Sequence, residues 1–249
     1  MLALGYNPLE KCTAYYDNFE KLENHWRIRK DGVAEIKVRD SKLELSMGPT
    51  EALYYSNAEI SDGVFDDLPW CRKDFEARIR LLGNHYGSAG WGFWNHSMRV
   101  ELSMPVWFIY LRASSRNYPL NGFFVQLGNV FTPIKYFVNP SFIFRILMRT
   151  FNRLMPIKFT SLNPVIPNFD IEDWHVYRIR WRDKEVEFSI DDKIVSRIGF
   201  GKEMKFRADI WIDNAVFSTI RGDYAQVYRH ITHENRKKSI LEVDYVKIF

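Results

Sequence analysis

The amino-acid sequence alternates between apolar and polar side chains in many short segments. The clearest is residues 75–81, where every odd position is apolar and every even position is charged. Because successive side chains of a β-strand point to opposite faces, this period of two predicts a strand with one buried and one solvated face. The pattern recurs at residues 43–47, 177–181 and 185–190. Pairs suited to tight turns occur between such segments, namely Asp31-Gly32, Asp62-Gly63 and Asp191-Asp192. Many strands and few helical patterns predict an all-β antiparallel sandwich or barrel.

Composition fits one large domain. The chain has 249 residues, of which 46% are hydrophobic and 16% aromatic. This is ample material for one core, so we expect residues 1–249 to form a single domain. The 35 Lys and Arg against 31 Asp and Glu leave a formal net charge of +4. So small a surplus in interspersed charges predicts no nucleic-acid partner.

Cysteine and histidine spacing gives no sign of a metal or cofactor. Cys12 and Cys71 are too few for a disulfide scaffold and are interpreted as free thiols. His230 and His233 lie beside Glu234 without an evident third ligand, so neither a metal site nor a cofactor is predicted. The chain's start lacks the pattern of a signal peptide, and no apolar run reaches the roughly 20 residues that span a membrane. These features favour a cytoplasmic location.

One segment, residues 134–162, departs from the strand pattern. It is rich in Phe, Ile, Leu and Met, and Arg145, Arg149 and Arg153 follow at four-residue spacing. That spacing places the arginines on one face of a helix, which we assign to residues 140–156 inserted in a long loop. The helix is expected to pack its broad apolar surface on the sandwich. The alternatives are a lid over a pocket, a membrane-surface contact or a self-association contact.

Several segments, in order along residues 16–249, resemble the laminarinase-like members of glycoside hydrolase family 16, within the concanavalin A-like lectin/glucanase superfamily. They are residues 16–19 followed by Trp26, then residues 75–79, 91–94, 174–181, 186–191 and 243–248. The resemblance implies an antiparallel jelly roll of two curved sheets with ligands on the concave face.

The family's catalytic pattern, Glu-x-Asp-x-x-Glu, is absent. Its nearest equivalent begins at Glu101 and has Ser103 and Val106 where the family has its other two carboxylates. If residues 106–111 take the place of the catalytic strand instead, no carboxylate remains. Since a retaining glycosidase needs two carboxyl groups, family-type hydrolysis is not expected. An atypical acid and base from elsewhere, such as His85, His96 or Asp213, stays open because these groups can transfer protons.

Aromatic and polar side chains lie where the resemblance places the cleft, and sugar sites combine such groups. Trp107 and Ile109 share one strand face, while Phe108 and Tyr110 share the other, so only one pair can point into the cleft. Tyr118 is a further candidate on or beside these strands. The predicted ligand-binding residues are Trp91, Trp94, Trp107, Tyr110, Gln126, Trp211, Asp213 and Asn214.

The leading hypothesis is a protein that binds a carbohydrate or glycoconjugate on the concave face and has diverged from glucanase-like enzymes. The first alternative is an enzyme or carrier for a hydrophobic small molecule beneath a helical lid, because the neighbourhood of the cleft is unusually apolar. The second is an active glycoside hydrolase with an atypical acid/base pair.

Overall fold

The computed structural model describes residues 14–49, 55–63, 68–95, 104–114, 118–152, 157–216 and 237–249. Within these ranges the chain forms seventeen strands and one helix. The strands are β1 (Tyr15–Asp17), β2 (Arg27–Asp31), β3 (Glu35–Arg39), β4 (Lys42–Met47), β5 (Asn57–Ser61), β6 (Trp70–Cys71), β7 (Phe75–Leu82), β8 (Gly87–Trp94), β9 (Pro105–Arg112), β10 (Gly122–Leu127), β11 (Val130–Tyr136), β12 (Lys158–Phe159), β13 (His175–Trp181), β14 (Glu185–Ile190), β15 (Lys193–Gly199), β16 (Lys205–Asp213) and β17 (Ser239–Ile248), and the helix is α1 (Phe142–Phe151).

The described strands form two sheets. Sheet A has the order β15-β14-β13-β7-β17-β4-β3, with β1 also pairing with β17. Sheet B has the order β12-β11-β10-β9-β8-β16-β5-β2, with β6 also pairing with β16. Neighbouring strands are antiparallel except β11 and β12, which are parallel. The predicted all-β, two-sheet antiparallel sandwich is confirmed.

The core lies between the two sheets and follows directly from the alternation in the sequence. In β7 the side chains of Phe75, Ala77, Ile79 and Leu81 are all buried, as the period of two predicts. They pack in one cluster with alternate side chains from sheet B. Burial of this apolar surface is the main force that holds the two sheets together.

A second apolar cluster covers the opposite face of sheet B, which we call the outer face because it is turned away from sheet A. Trp107, Ile109 and Phe124 from the sheet belong to it, together with Met148 of α1 and Phe159 of β12. Sheet B is therefore apolar on both faces over β9 and β10, as is typical of strands that are covered on both sides.

α1 occupies the middle of the predicted insertion but is shorter than predicted. Ser141 caps it, since its Oγ accepts a hydrogen bond from the Phe144 backbone N–H at 3.2 Å. The start of the 134–162 segment belongs to β11, and residues 153–156 lie outside the described residues. The helix does not bury a broad apolar surface, because Met148 is its buried side chain while five large apolar side chains are exposed. No helix of the described residues is long and apolar enough to cross a membrane.

Candidate functional site

The outer face of sheet B brings aromatic and charged side chains together because β16 alternates strictly. Its even positions, from Phe206 to Ile212, belong to the inter-sheet core. Its odd positions therefore point to the outer face. The outward side chains are Arg207, Asp209, Trp211 and Asp213.

Three tryptophans, which we call the Trp cluster, meet on this face. The ring centroids of Trp107 and Trp211 are 4.5 Å apart, and those of Trp94 and Trp107 are 5.6 Å apart. Gly90 makes room for the arrangement, since a Cβ there would lie 2.2 Å from Cη2 of Trp211. Trp107 and Trp211 are almost fully buried, while Trp94 is only partly buried. Trp94 is therefore the member of the cluster that offers ring surface to a ligand.

Hydrogen bonds fix the two buried indoles. The Nε1–H of Trp107 donates to Oε1 of Gln126 at 2.8 Å, and the Gln126 amide donates to the carbonyl of Gly128 at 2.8 Å. The Nε1–H of Trp211 donates to Oγ of Ser88 at 3.0 Å. Gln126 thus orients the Trp107 ring, and the two hydrogen bonds hold the Gln126 side chain in place beside the site.

A buried ionic group borders the Trp cluster. Nη2 of Arg207 lies 3.1 Å from Oδ2 of Asp209 and 3.4 Å from Oε1 of Glu59. The Arg207 guanidinium stacks on Trp94, with Cζ 5.3 Å from the centroid of the ring. Burial, and then the charge of Glu59, hold the pKa of Asp209 well above its usual value. The shift is in the direction that a proton-donating carboxyl group requires.

Two buried polar atoms of this group have no hydrogen-bond partner among the described residues, and the same holds for one atom of Asn57, whose amide donates to Oε2 of Glu59 at 3.1 Å. The three atoms are Oδ1 of Asp209, Nε of Arg207 and Oδ1 of Asn57. A buried polar atom without a partner costs free energy, so such atoms call for an explanation. All three residues lie on the outer face of β16 and β5.

Asp213 lies at the end of the same row. Its Oδ1 accepts hydrogen bonds from the backbone N–H and hydroxyl of Ser88, at 3.3 and 2.9 Å, and from the Ala215 N–H at 2.9 Å. Burial outweighs these bonds and raises the pKa of Asp213 to about 7. His85 contacts the Asp213 carbonyl through Nε2 at 2.8 Å and Oγ of Ser239 through Nδ1 at 2.9 Å. Burial lowers the pKa of His85 to about 4, and both its nitrogens serve to join strand ends.

The predicted ligand-binding residues separate into two groups. The outer face brings together Trp94, Trp107, Gln126, Trp211 and Asp213. Asn214 follows directly after β16, where its Oδ1 accepts a hydrogen bond from the Ser56 N–H at 2.9 Å while its own N–H donates to the Ser56 carbonyl.

Trp91 and Tyr110 are not on this face, which corrects their predicted position. Both belong to the inter-sheet core, where Trp91 lies 4.7 Å from the ring of Tyr177 and the Tyr110 hydroxyl donates to the His85 carbonyl at 2.6 Å. The reason is strand parity, because each is an odd number of residues from the outward-pointing Trp94 or Trp107. Tyr118 is buried in the cluster on the outer face.

In the described residues β8 pairs with β9 on one side and with β16 on the other. The outward side chains of β9 include Trp107, Ile109 and Leu111. Glu101 and His96 lie outside the described residues, as do His230 and His233. Among the described residues no group of three or more His, Cys, Asp or Glu side chains is arranged to hold a metal ion.

The ionic group of Glu59, Arg207 and Asp209 is not among the site residues predicted from the sequence. The signal was present, since residues 206, 208, 210 and 212 are apolar and the odd positions between them are charged or aromatic. Recognising this alternation would have placed Arg207 and Asp209 on the same face as Trp211 and Asp213.

Comparisons with known proteins agree with the fold. No protein-family profile and no curated protein sequence matches the chain. Solved structures do match. One belongs to work on the endo-acting O-glycanases that prominent members of the human gut microbiota express to initiate mucin breakdown, with 15% identity, a TM-score of 0.58 and coverage of 94% of this chain and 97% of that chain. The laminarinase from Flavobacterium sp. UMI-01 matches with 12% identity, a TM-score of 0.57 and coverage of 94% and 98%. The κ-carrageenase from Pseudoalteromonas carrageenovora, in complex with an oligotetrasaccharide of κ-carrageenan, matches with 14% identity, a TM-score of 0.56 and coverage of 98% of each chain.

These similarities extend over nearly the whole of both chains, and at such identities they show the fold. The chain therefore has the jelly-roll fold of these solved structures, as predicted.

Proposed function

We propose that the protein binds a carbohydrate at the outer face of sheet B, with Trp94 as the ring that contacts the sugar. Sugars combine apolar C–H faces with many hydroxyl groups, so their sites pair aromatic rings with polar side chains. Trp94 supplies the ring, and the fixed rings of Trp107 and Trp211 support it from behind.

The observation that carries this proposal is the presence of two buried polar atoms in the ionic group that borders Trp94. Nε of Arg207, a donor, and Oδ1 of Asp209, an acceptor, have no partner among the described residues. A sugar hydroxyl is at once donor and acceptor, so hydroxyl groups satisfy both kinds of atom. Because these atoms are buried, a ligand reaches them only when covering groups move, and we expect binding to include a local opening.

The solved structures support the proposal without deciding it. One of them holds an oligotetrasaccharide of κ-carrageenan, and others are a laminarinase and a β-1,3-1,4-glucanase. In each of these cases the bound molecule or the name of the enzyme indicates a glycan. The sequence hypothesis of a carbohydrate or glycoconjugate ligand stays our leading one.

Calorimetric titration with oligosaccharides of β-1,3-glucan, β-1,3-1,4-glucan, κ-carrageenan and mucin O-glycans tests the proposal. We expect one class to bind, and we expect Trp94→Ala to lower its affinity at least about tenfold, as loss of a central aromatic contact does. Trp174→Ala is the matched control, because Trp174 is also half-buried and also stacks on arginine, beside Arg78 and Arg80. A folded wild-type protein that binds none of these sugars would contradict the proposal.

A second candidate function is glycoside hydrolysis by Asp209 and Glu59. Both carboxylates contact the same Nη2 atom of Arg207. The distance between their nearest oxygens is therefore at most the sum of the two nitrogen–oxygen distances, 3.1 and 3.4 Å. That bound favours the shorter carboxyl separation, about 5–5.5 Å, of retaining glycosidases. In this scheme Glu59 attacks the anomeric carbon while neutral Asp209 gives its proton to the leaving oxygen. Water then hydrolyses the ester, and Asp209 recovers its proton.

Release of reducing sugar from the same oligosaccharides tests this second candidate. We expect Asp209→Asn to lower the rate about a hundredfold or more and to leave sugar binding in place, since the amide keeps the shape of the acid. Azide should restore turnover to Glu59→Ala by replacing the nucleophile. Binding without any release of reducing sugar would leave the binding function and reject hydrolysis.

The hydrophobic ligand beneath α1 stays a prediction. α1 meets the sheet through Met148 and through Phe144, whose ring lies 5.9 Å from that of Phe159. Deletion of residues 140–156 followed by titration with a hydrophobic dye tests it, and unchanged binding in a stable variant would reject the lid.

A further inference from the structure

α1 presents a continuous apolar surface to solvent. Its exposed side chains are Phe142, Ile143, Ile146, Leu147 and Phe151, with exposed fractions of 76%, 70%, 46%, 41% and 46%. Their spacing of one, three and four residues places them side by side on one half of the helix. We call this half the α1 apolar surface. Soluble domains rarely expose so many large apolar side chains together without a partner.

The helix is held at both ends, so this surface is displayed in a fixed orientation. Ser141 caps the N-terminal end. At the other end, the Asn152 side chain accepts a hydrogen bond from the Phe159 N–H at 2.9 Å and donates to the Phe159 carbonyl at 3.0 Å. Arg145 donates to Oδ1 of Asn163 at 2.9 Å. With Phe144 and Met148 turned toward the sheet, the α1 apolar surface must face away from it.

The stretch of sequence that contains α1 carries charge of one sign. Residues 102–169 contain no Asp and no Glu, and their seven basic residues are Arg112, Arg116, Lys135, Arg145, Arg149, Arg153 and Lys158. The formal positive charge of this stretch therefore exceeds the +4 net charge of the whole chain. Among the described residues, Arg149 is exposed beside the α1 apolar surface, since it follows Ile146 by three residues on the helix.

We propose that the α1 apolar surface docks on an anionic lipid bilayer. A short helix with large apolar side chains on one side and basic residues beside them lies in the plane of the bilayer interface. At 10 residues α1 is about 15 Å long, half the hydrocarbon thickness of about 30 Å, so it lies on the bilayer and does not cross it. Anionic headgroups attract the flanking arginine.

Charge favours a bilayer over a second copy of this chain. Two copies facing each other through α1 would bring Arg149 of one close to Arg149 of the other, with no acidic residue of the 102–169 stretch to offset them. An anionic surface instead gains from each basic residue. This proposal stands independently of the proposed sugar site.

Co-sedimentation with vesicles of phosphatidylcholine, with and without phosphatidylserine, tests the proposal. We expect binding to the phosphatidylserine vesicles that weakens with salt, and a loss of at least about tenfold in partitioning for the double variant Ile143→Ser/Ile146→Ser. The matched control is Ile28→Ser/Ile194→Ser, which removes two exposed isoleucines elsewhere and should bind normally. Arg149→Gln should weaken binding about fivefold.

Three results would overturn the proposal. They are no binding to phosphatidylserine vesicles, equal binding by the α1 variant, or a dimer in light scattering without lipid that the α1 variant abolishes. The last result would assign the surface to a second copy. Thermal melting checks that the variants fold, and Phe142→Ser, at the most exposed position, serves if the double variant does not.

Discussion

Asp213 is a buried acid whose titration should be visible in the stability of the whole protein. Burial raises its pKa from 3.8 to about 7, so the folded protein keeps a proton that the unfolded chain has released. The contribution of Asp213 to the free energy of unfolding is therefore full below about pH 4 and falls by up to about 1.4 kcal/mol per pH unit toward pH 7.

We expect Asp213→Asn to remove this fall. The amide oxygen can still accept the bonds from Ser88 and Ala215, and it does not titrate. Urea denaturation at a series of pH values should show the variant gaining stability over the wild type from pH 4 to 7, with no further gain above. His85 has the opposite slope in this range, but it is present in both proteins and cancels in the difference. The exposed Asp173→Asn is the control, and parallel curves for wild type and Asp213→Asn would contradict the account.

The residues that were misplaced in the sequence analysis show why single positions on β8 and β9 are hard to predict. Both strands are apolar at nearly every position, so alternation does not indicate which parity faces the core. Trp91 and Trp94 were both assigned to the ligand face, although their odd separation along β8 puts them on opposite faces. The faces become distinct only when sheet A covers one of them.

At the scale of elements, α1 shows that a helix is easier to predict than its packing. The four-residue spacing of Arg145 and Arg149 indicated the helix correctly. It did not indicate which apolar stripe would face the sheet, because apolar side chains occupy most of the circumference. The structure buries the stripe of Phe144 and Met148 and exposes the wider one.

Met148 and its neighbour Leu147 make a direct test of this orientation. Met148 is 2% exposed and Leu147 is 41% exposed. We expect Met148→Ala to lower the free energy of unfolding by about 2 kcal/mol or more and Leu147→Ala by less than about 1 kcal/mol. Urea denaturation measures both, and hydrogen exchange of residues 142–151 shows whether α1 alone is loosened. A larger loss for Leu147→Ala would mean that α1 packs through its other side.

At the scale of the whole molecule, the fold was predictable to the level of two antiparallel sheets. Alternation at residues 75–81 and 177–181 identified β7 and β13, and the order of the resembling segments identified the jelly roll. Which strands pair was not readable from such patterns, because pairing joins distant segments. β17, for example, comes last in the described chain, yet it pairs with β4 on one side and β7 on the other.

The indole N–H resonances of the eight tryptophans offer the most direct test of the central claim that the outer face of sheet B binds a carbohydrate. A two-dimensional NMR titration with the oligosaccharides named above follows them all in one spectrum. We predict that the resonances of Trp94, Trp107 and Trp211 shift with added sugar, while those of Trp26 and Trp174 do not. Shifts confined to Trp26 or Trp174, or no shift with any sugar, would contradict the claim.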